Sequence, residues 1–501
     1  MLNVVICAAG HGTRMKTELP KVLHTIAGRP MLAVLIDAII PLKPSKVIIT
    51  CSYKKDLVMQ TINILFPEMN FDWVVQKEVL GTAQAMKCVL PNLDHNADCL
   101  VMCGDMPFIQ DEISHEIITT KILEDFINFH QHSANHMTIM SNFKHNPMGY
   151  GRIVRKPIHM FQEVSSKNMV CNRHVAGISI THDDVIVAIR EQKNLAVDQK
   201  DIKEVNTGVY MFNTQLLQDY IPQILPNEIS SEYYLTDIVE LVRESETDNM
   251  QNKSIGSFIL PENIFFAGAN SQLQLTEIER KYQMAFASAL LKSGVRLYDV
   301  NRIDIRGRVI AGTDCIIDVN CIFEGQVVLG DNVHIGTGCY LKNIKIANNT
   351  VIKPYSVLED AVIGDQVQIG PFARIRPGTT LEDHSRVGNF VEIKNTKLGN
   401  NSKVNHLSYI GDAVVGSNVN IGAGVVVCNY DGINKHKTEI GNDVFVGSGT
   451  MLVAPLEIGN DALIAAGSTI NKNVPAHELT IARAKQETKF GWLEKSKKGK
   501  K

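Results

Sequence analysis

The 501-residue chain contains no apolar run of membrane-spanning length, and its start, MLNVVICAAG, reads as a strand entering a loop rather than as a leader. It has no strong charge of either sign. A net charge of −3 argues against nucleic acid or an anionic membrane as the main partner. Lysines cluster only in the terminal KSKKGKK, expected to be a solvated tail. Among its 10 cysteines there is no CxxC pair and no Cys/His set at zinc spacing. Cys315 and Cys321 lie six apart, as core-facing thiols of a repeat would. Scattered, reduced cysteine and the missing leader together lead us to expect a soluble cytoplasmic protein.

What is present is a repeat. From Leu329 to Ile470 an aliphatic residue recurs every six positions, usually followed by Gly, Asn, Asp or Glu, as in Leu329-Gly330, Ile335-Gly336, Val387-Gly388 and Val446-Gly447. A period of six fits neither an amphipathic helix nor an alternating strand. It fits a parallel β-helix of hexapeptide repeats, each short strand pointing one aliphatic residue inward. The residue after it is expected to turn the corner, where glycine or a small polar residue tolerates the backbone of a tight turn. The register slips by one residue at 341→346, 358→363, 393→398 and 410→415, and recovers each time. A larger break, CNYDGINKHKTE, separates Val427 from Ile440 and must be a loop thrown outward. The solenoid is expected from about Val295 to Val474, within a C-terminal domain 294–501.

Residues 1–272 alternate strand and helix patterns, the signature of an α/β, Rossmann-like sheet. Expected strands are Val4–Ala8, Lys46–Cys51, Phe71–Gln76 and Cys99–Cys103, with helices at Met31–Pro41 and Gly81–Val89. A linker helix over 273–293 stops at Gly294. The first strand runs into Ala8-Ala9-Gly10-His11-Gly12-Thr13-Arg14, with Pro20-Lys21 downstream. This is neither a Walker A loop nor G-x-G-x-x-G. Its glycines still allow backbone N–H groups close to phosphate, and Arg14 and Lys21 supply positive charge. Gly104-Asp105 closes another strand and puts a carboxylate at the sheet's ligand-binding edge, suited to Mg²⁺ beside a triphosphate.

These pieces resemble the sugar-1-phosphate nucleotidylyltransferases. Over nearly the whole chain the resemblance is to the bifunctional N-acetylglucosamine-1-phosphate uridylyltransferase/glucosamine-1-phosphate N-acetyltransferase family of bacterial cell-envelope synthesis. It is carried by AAGHGTR, PKVLH at 20–24, Gln76, Leu80–Ala83, Gly104-Asp105, Gly149–Arg152, Glu191, Val205–Gly208, Glu232–Asp237 and Asn270. The resemblance implies that Ala8, Ala9, Gly10, Gln76, Gly81, Thr82, Gly151, Glu191 and Asn206 hold the uridine nucleotide and the acetamido sugar. Asp105 and Asn270 would bind Mg²⁺, while Arg14 and Lys21 stabilise charge as the sugar phosphate attacks UTP and pyrophosphate leaves. Cys7 and Cys103 replace a more usual leucine and aromatic residue, and the chain between Arg152 and Glu191 is longer than the usual hairpin, which suggests a surface elaboration over 153–187 beside the sugar pocket.

In the solenoid, Arg376, Glu392, Lys394, His406, Tyr409, Asn420 and Lys435 break the apolar rule. VGNFVEIKNTKLG and VNHLSYIGDAVVGSNVNIGAGVVVCNYDG match the same family. An imidazole is suited to take the proton of a sugar amine attacking a thioester, and the resemblance gives that role to His406. It implies Arg376 and Lys394 on the sugar's phosphate, with Tyr409 and Asn420 on the sugar. Ala423, Asn429, Tyr430, Ser448, Ala466 and Arg483 would line an acetyl-CoA groove. On sequence alone Ala423 and Ala466 could equally be small core residues. The family's solenoid is left-handed and homotrimeric, with acetyl-transfer sites between copies. Three readings follow: a bifunctional enzyme acting on glucosamine-1-phosphate, acetyl-CoA, N-acetylglucosamine-1-phosphate and UTP; a monofunctional nucleotidylyltransferase with a structural or regulatory β-helix; and an assembly scaffold, disfavoured by the phosphate loop and strand-end Asp.

Overall fold

The computed structural model describes residues 1–10, 12–157, 172–175, 178–181, 184–228, 230–249 and 254–493. His11 and the lysine-rich 495–501 therefore lie outside the described residues, as does most of the expected elaboration. The chain forms two units, Met1–Ser288 and Ala289–Lys501. No described helix is long and apolar enough to cross a membrane.

The first unit is built on an eleven-stranded sheet. Its strands are β1 (Leu2–Cys7), β2 (Lys46–Cys51), β3 (Asp72–Val75), β4 (Asp98–Cys103), β5 (Met137–Phe143), β6 (Arg152–Pro157), β7 (Asn172–Val175), β8 (Ile178–Thr181), β9 (Asp184–Arg190), β10 (Glu204–Asn213) and β11 (Ile255–Leu260). The order is β8-β7-β11-β5-β10-β4-β1-β2-β3, with the β6/β9 hairpin attached at β10. Strands β1 to β4 are mutually parallel and β10 runs against β4 and β5. A parallel sheet is buried on both faces, so its strands are almost continuously apolar. Val4 and Ile6 pack into one layer with Leu32, Ile36 and Phe126, while Val5 packs into the other with Met86, Val89 and Phe212. The helices covering these faces include α1 (Met31–Ile39), α2 (Lys55–Leu65), α3 (Thr82–Val89), α4 (Thr119–His132), α5 (Thr214–Tyr220) and α6 (Ile238–Asn249).

The extra chain between β6 and β9 contributes β7 and β8, which extend the sheet edge along β11. Pairing covers an otherwise open edge. The linker helix is α7 (Gln272–Lys292), and most of it belongs to the first unit. Ile278 packs with Ile26, Met31 and Phe108, and the Lys281 carbonyl accepts from Gln110 Nε2 at 2.9 Å.

The second unit is a parallel β-helix whose strands stack in register from Arg296–Leu297 to Leu479–Thr480. Coils repeat every 17 or 18 residues: His334 pairs with Val351 and Gln368 with Arg386. All four register slips fall at one corner, where Asn343, Asp360, Asn395 and Asp412 take φ of +48°, +44°, +45° and +51°. Asn and Asp tolerate this left-handed backbone better than other side chains. The glycine after each aliphatic residue serves another purpose than the one expected. Gly388 and Gly447 show no positive φ; instead a Cβ would sit 1.9 Å from the Asn405 carbonyl oxygen and 2.4 Å from the Ala466 nitrogen of the next coil. Close stacking of coils, not turn geometry, requires them.

Inward corners are closed by small donors. Cys315, Cys321 and Cys339 donate Sγ–H to Gly330, Gly336 and Lys353 carbonyls at 3.0, 3.2 and 3.3 Å. Thr350, Ser402 and Ser408 do the same further along with Oγ. Burial pushes the Cys321 thiol up to about 12, so it stays protonated. The expectation of core-facing thiols holds, and every described cysteine is free.

Candidate active sites

In the first unit the chain leaves β1 outward to β2 and β3 and then returns from β3 to β4 on the other side of β1, so the strand order reverses there, the place where open α/β sheets bind ligands. A cleft of about 200 Å³ opens there. Ala8, Ala9, Gly10, Lys21, Gln76, Gly81, Thr82 and Asp105, all singled out in the sequence, line it. Thr50, Val79 and Ala85 also line it and were not anticipated. Thr50 Oγ1 accepts from the Ala8 N–H at 3.2 Å and so holds the first loop to β2. A buried strand hydroxyl carries no sequence signal that would mark it. Gln76 is 3% exposed and its Nε2 has no partner, a donor left for a ligand.

At one end of the cleft the Lys21 ammonium contacts the Asp105 carboxylate and lies 2.7 Å from Asn270 Oδ1, while Arg14 reaches the same Asn270 oxygen at 2.8 Å. Asp105 and Asn270 thus point their oxygens at one cation-sized position. Oxygen donors meeting at a positive group are what a hard divalent ion requires. Arg14 itself is not among the cleft lining.

Gly151, Glu191 and Asn206 also come together. A Cβ on Gly151 would meet Asn206 Cβ at 3.5 Å and Glu191 Oε1 at 3.6 Å. The Asn206 N–H donates to the Gly151 carbonyl at 2.9 Å, and its Nδ2 donates to Tyr210 Oη at 2.6 Å. Burial, then Asp237 and Glu232, raises the Glu191 carboxyl above its ordinary range. Burial, ahead of the Asp105 charge, pushes the Cys103 thiol well up, and burial pushes Cys7 to about 12. Both cysteines line the cleft as neutral groups.

In the second unit one corner forms a column. The His406 carbonyl accepts from the Gly424 N–H at 3.2 Å, Ala423 from Gly449 at 2.7 Å and Ser448 from Gly467 at 2.8 Å. Arg483 Nη1 then closes on the Ala466 carbonyl at 2.6 Å. His406, Ala423, Ser448, Ala466 and Arg483 therefore stand one coil apart, about 4.8 Å per step. Ala466 is exposed and Ala423 half-buried, so neither is a core residue. His406 Nδ1 lies 3.1 Å from Asn389 Oδ1, one coil earlier. Donation from Nδ1–H to that oxygen leaves Nε2 free to accept a proton. Asn389 was not anticipated.

On the adjoining face Arg376 Nη1 donates to Glu392 at 2.7 Å and Lys394 Nζ to Asp412 at 3.3 Å. Hydrogen bonding with Lys435 and Asp412 raises Lys394, and the same Lys394 neighbour lowers exposed Lys435. Two amines crowded together favour an anion between them. Tyr409 pairs with Glu392, and Asn429 Nδ2 reaches both Tyr409 Oη and Asp412 at 3.4 and 2.5 Å. The expelled loop is ordered by Asp431, whose carboxylate accepts from the Ile433 and Asn434 N–H groups and meets His436 Nε2 at 2.7 Å. Tyr430 stays exposed beside it, and Asn420 opens the strand one coil after Lys403.

Comparison with known proteins agrees with this division. Residues 4–172 match the MobA-like NTP transferase domain, 305–387 the GMPPB C-terminal domain, and 437–472 the bacterial transferase hexapeptide repeat, in accord with a left-handed β-helix. The chain is 42% identical over 497 residues to a protein of Chromobacterium violaceum called bifunctional protein GlmU, covering 99% of each. It is 40% identical to proteins of the same name from Acinetobacter baylyi and Marinobacter nauticus, covering 98% of each chain in both cases.

Proposed function

The chain belongs to the family of bifunctional GlmU proteins, and we propose that its two units divide that family's two transfer reactions between them. It is a bifunctional transferase making UDP-N-acetylglucosamine. Glucosamine-1-phosphate is acetylated from acetyl-CoA, and the resulting N-acetylglucosamine-1-phosphate takes UMP from UTP with release of pyrophosphate. What supports the division most is that residues from Ala8 to Asp105 line one cleft at the sheet edge, while His406, Ala423, Ser448, Ala466 and Arg483 stack at one solenoid corner with Arg376, Lys394 and Tyr409 on the adjoining face.

In the first unit, Gln76 Nε2 would donate to a base carbonyl, and the open backbone at Gly10 would admit the nucleotide, with Gly81 packed against the Tyr233 backbone beside it. Gly151, Glu191 and Asn206 would orient the acetamido sugar so that its phosphate oxygen faces the α-phosphorus. Asp105 and Asn270 would hold Mg²⁺, which when bound neutralises and orients phosphate oxygens. Lys21 and Arg14 would then pass their hydrogen bonds to the phosphates and stabilise the leaving pyrophosphate. In the second unit, Arg376 and Lys394 would hold the sugar phosphate and Tyr409 and Asn420 the ring. His406 Nε2 would take the amine proton as nitrogen attacks the thioester carbonyl and the CoA thiolate departs. The column Ala423, Ser448, Ala466 and Arg483, with Asn429 and Tyr430, would carry the CoA arm.

We place the enzyme in the cytoplasm as a homotrimer with acetyl-transfer sites between copies. Free buried cysteines support the first statement. The second is supported by Phe445, Leu463 and Leu479, exposed apolar residues in register on one face, and by the exposed stack Tyr355–Phe372–Phe390 with ring centroids 5.3 and 5.4 Å apart.

The test is an assay of the full chain with glucosamine-1-phosphate, UTP and Mg²⁺, with and without acetyl-CoA. Free CoA thiol should appear without UTP, and pyrophosphate should appear only when acetyl-CoA is added. Pyrophosphate without acetyl-CoA, and no thiol release, would favour the monofunctional reading instead.

A further inference from the structure

Strands β6 and β9 carry Gly151 and Glu191 at their foot; Ile153, Ile186 and Ile189 pack them onto the core beside Tyr210 and Phe212, but their backbone pairing to the main sheet is short. They pair with each other from Arg152↔Arg190 to Pro157↔Asp184, whereas β6 meets β10 through the single register pair Arg152↔Val205. A second attachment is made by side chains. Arg155, 9% exposed, forks onto Glu204, 5% exposed, with Nε and Nη2 donating at 2.7 and 2.8 Å. Its Nη2 also donates to Ser257 Oγ on β11 at 3.0 Å, and Ser141 Oγ on β5 donates to Glu204 at 2.7 Å. Asp184 of β9 lies 3.9 Å from the same guanidinium. Five strands therefore meet at one buried ion pair.

Stability is a poor reason for such a pair. Desolvating two charges offsets most of their attraction, and apolar side chains of similar volume commonly serve as well. What apolar contacts lack is the fork's fixed direction and distance. Arg155 lies on the same side of its strand as Gly151, and Glu204 on the same side of β10 as Asn206, because side chains alternate along a strand. The ion pair thus braces, farther up the hairpin, the approach that the Asn206 N–H bond to the Gly151 carbonyl makes at its foot.

We propose that Arg155 and Glu204 are positioning residues for uridylyl transfer, holding the hairpin foot against Asn206 so that the acetamido sugar is gripped from both sides. The proposal rests on the reading that Gly151, Glu191 and Asn206 bind that sugar. It is tested on the full chain by three measurements: KM for N-acetylglucosamine-1-phosphate, KM for UTP, and the thermal unfolding midpoint. Arg155→Met combined with Glu204→Leu removes both charges and keeps the volume. Its midpoint should stay within a few degrees, while KM for the sugar phosphate rises about tenfold and KM for UTP changes less than about twofold. Arg155→Lys keeps charge but loses the fork, and should raise the sugar KM about threefold. An unchanged sugar KM in these variants, or equal rises for sugar and UTP, overturns the proposal. Should the double variant not fold, Arg155→Lys decides on the same split. Asn206→Ala separates the two layers of argument. If it leaves the sugar KM unchanged the site reading fails, and if it alone raises that KM only the positioning role fails.

Discussion

Replacing Gly81 by alanine probes the first cleft with little change in chemistry. Gly81 has φ +105° and ψ 178°, a region open essentially to glycine alone, and straining a residue there costs roughly 1–3 kcal/mol. A Cβ would also lie 2.4 Å from the Tyr233 carbonyl oxygen and 2.9 Å from its nitrogen. Relieving that overlap means moving a backbone held by Tyr233 N–H to the Leu80 carbonyl at 2.7 Å and by Ala83 N–H to the Tyr233 carbonyl at 2.9 Å. Each bond is worth about 1 kcal/mol net. Strain and lost bonds together come to roughly 3–5 kcal/mol. If only about 2.7 kcal/mol of this is felt where Gly81 and Thr82 line the cleft, kcat/KM for uridylyl transfer falls about 100-fold. Steady-state kinetics following pyrophosphate would measure it. Gly294→Ala is the control, because its φ of +96° is strained but nothing lies within 4 Å of the added methyl. Gly81→Ala with normal uridylyl transfer and an unchanged unfolding midpoint would refute the reasoning.

Lys21→Met should tighten Mn²⁺ binding to the nucleotide-free protein by about tenfold, since it frees Asp105 and Asn270 from a part-buried ammonium. Calorimetric titration would show it, and unchanged or weaker binding would contradict it. Asn389→Ala should lower kcat for acetyl transfer about fivefold to tenfold by freeing the His406 ring, with uridylyl transfer unchanged. Equal losses in both reactions would point to general damage. Asp237 has its carboxyl raised to about 6 by burial and by Glu240. A raised folded value means stability present at low pH is lost as pH climbs from about 4 through 6. Asp237→Asn should therefore gain on the parent across that window by roughly 1–2 kcal/mol, discounted for partial exposure. Urea unfolding between pH 4 and 7 would read this, and a difference independent of pH would refute it.

Much of this was legible because backbone chemistry leaves periodic marks. A stacked solenoid must repeat its inward residue, so Ile335, Ile352 and Ile369 announce themselves, and the swollen coil at 428–439 is visible as a missed beat. Asp105 could be found because a strand-end carboxylate at the sheet edge is a positional signal. Gln76 was reached only through the family resemblance, and Thr50 not at all, since nothing local marks a buried strand hydroxyl that holds the Ala8 N–H. The role of glycine was misjudged from sequence because close coil contact and a left-handed turn favour the same residue. Asn389 became visible only once the coil length of 17 placed it beside His406. Arg155 and Glu204 are 49 residues apart, and only the fold brings their charges together.

The most direct measurement assays both reactions in two single-site variants of the full chain, His406→Ala and Asp105→Ala. Losing a general base or a metal ligand should cost at least about 100-fold in the reaction it serves. His406→Ala should lose acetyl transfer and keep pyrophosphate release from N-acetylglucosamine-1-phosphate and UTP within about twofold of the parent. Asp105→Ala should do the reverse. If either substitution abolishes both activities while the protein remains folded, or if neither affects its own reaction, two independent sites on one chain is the wrong account.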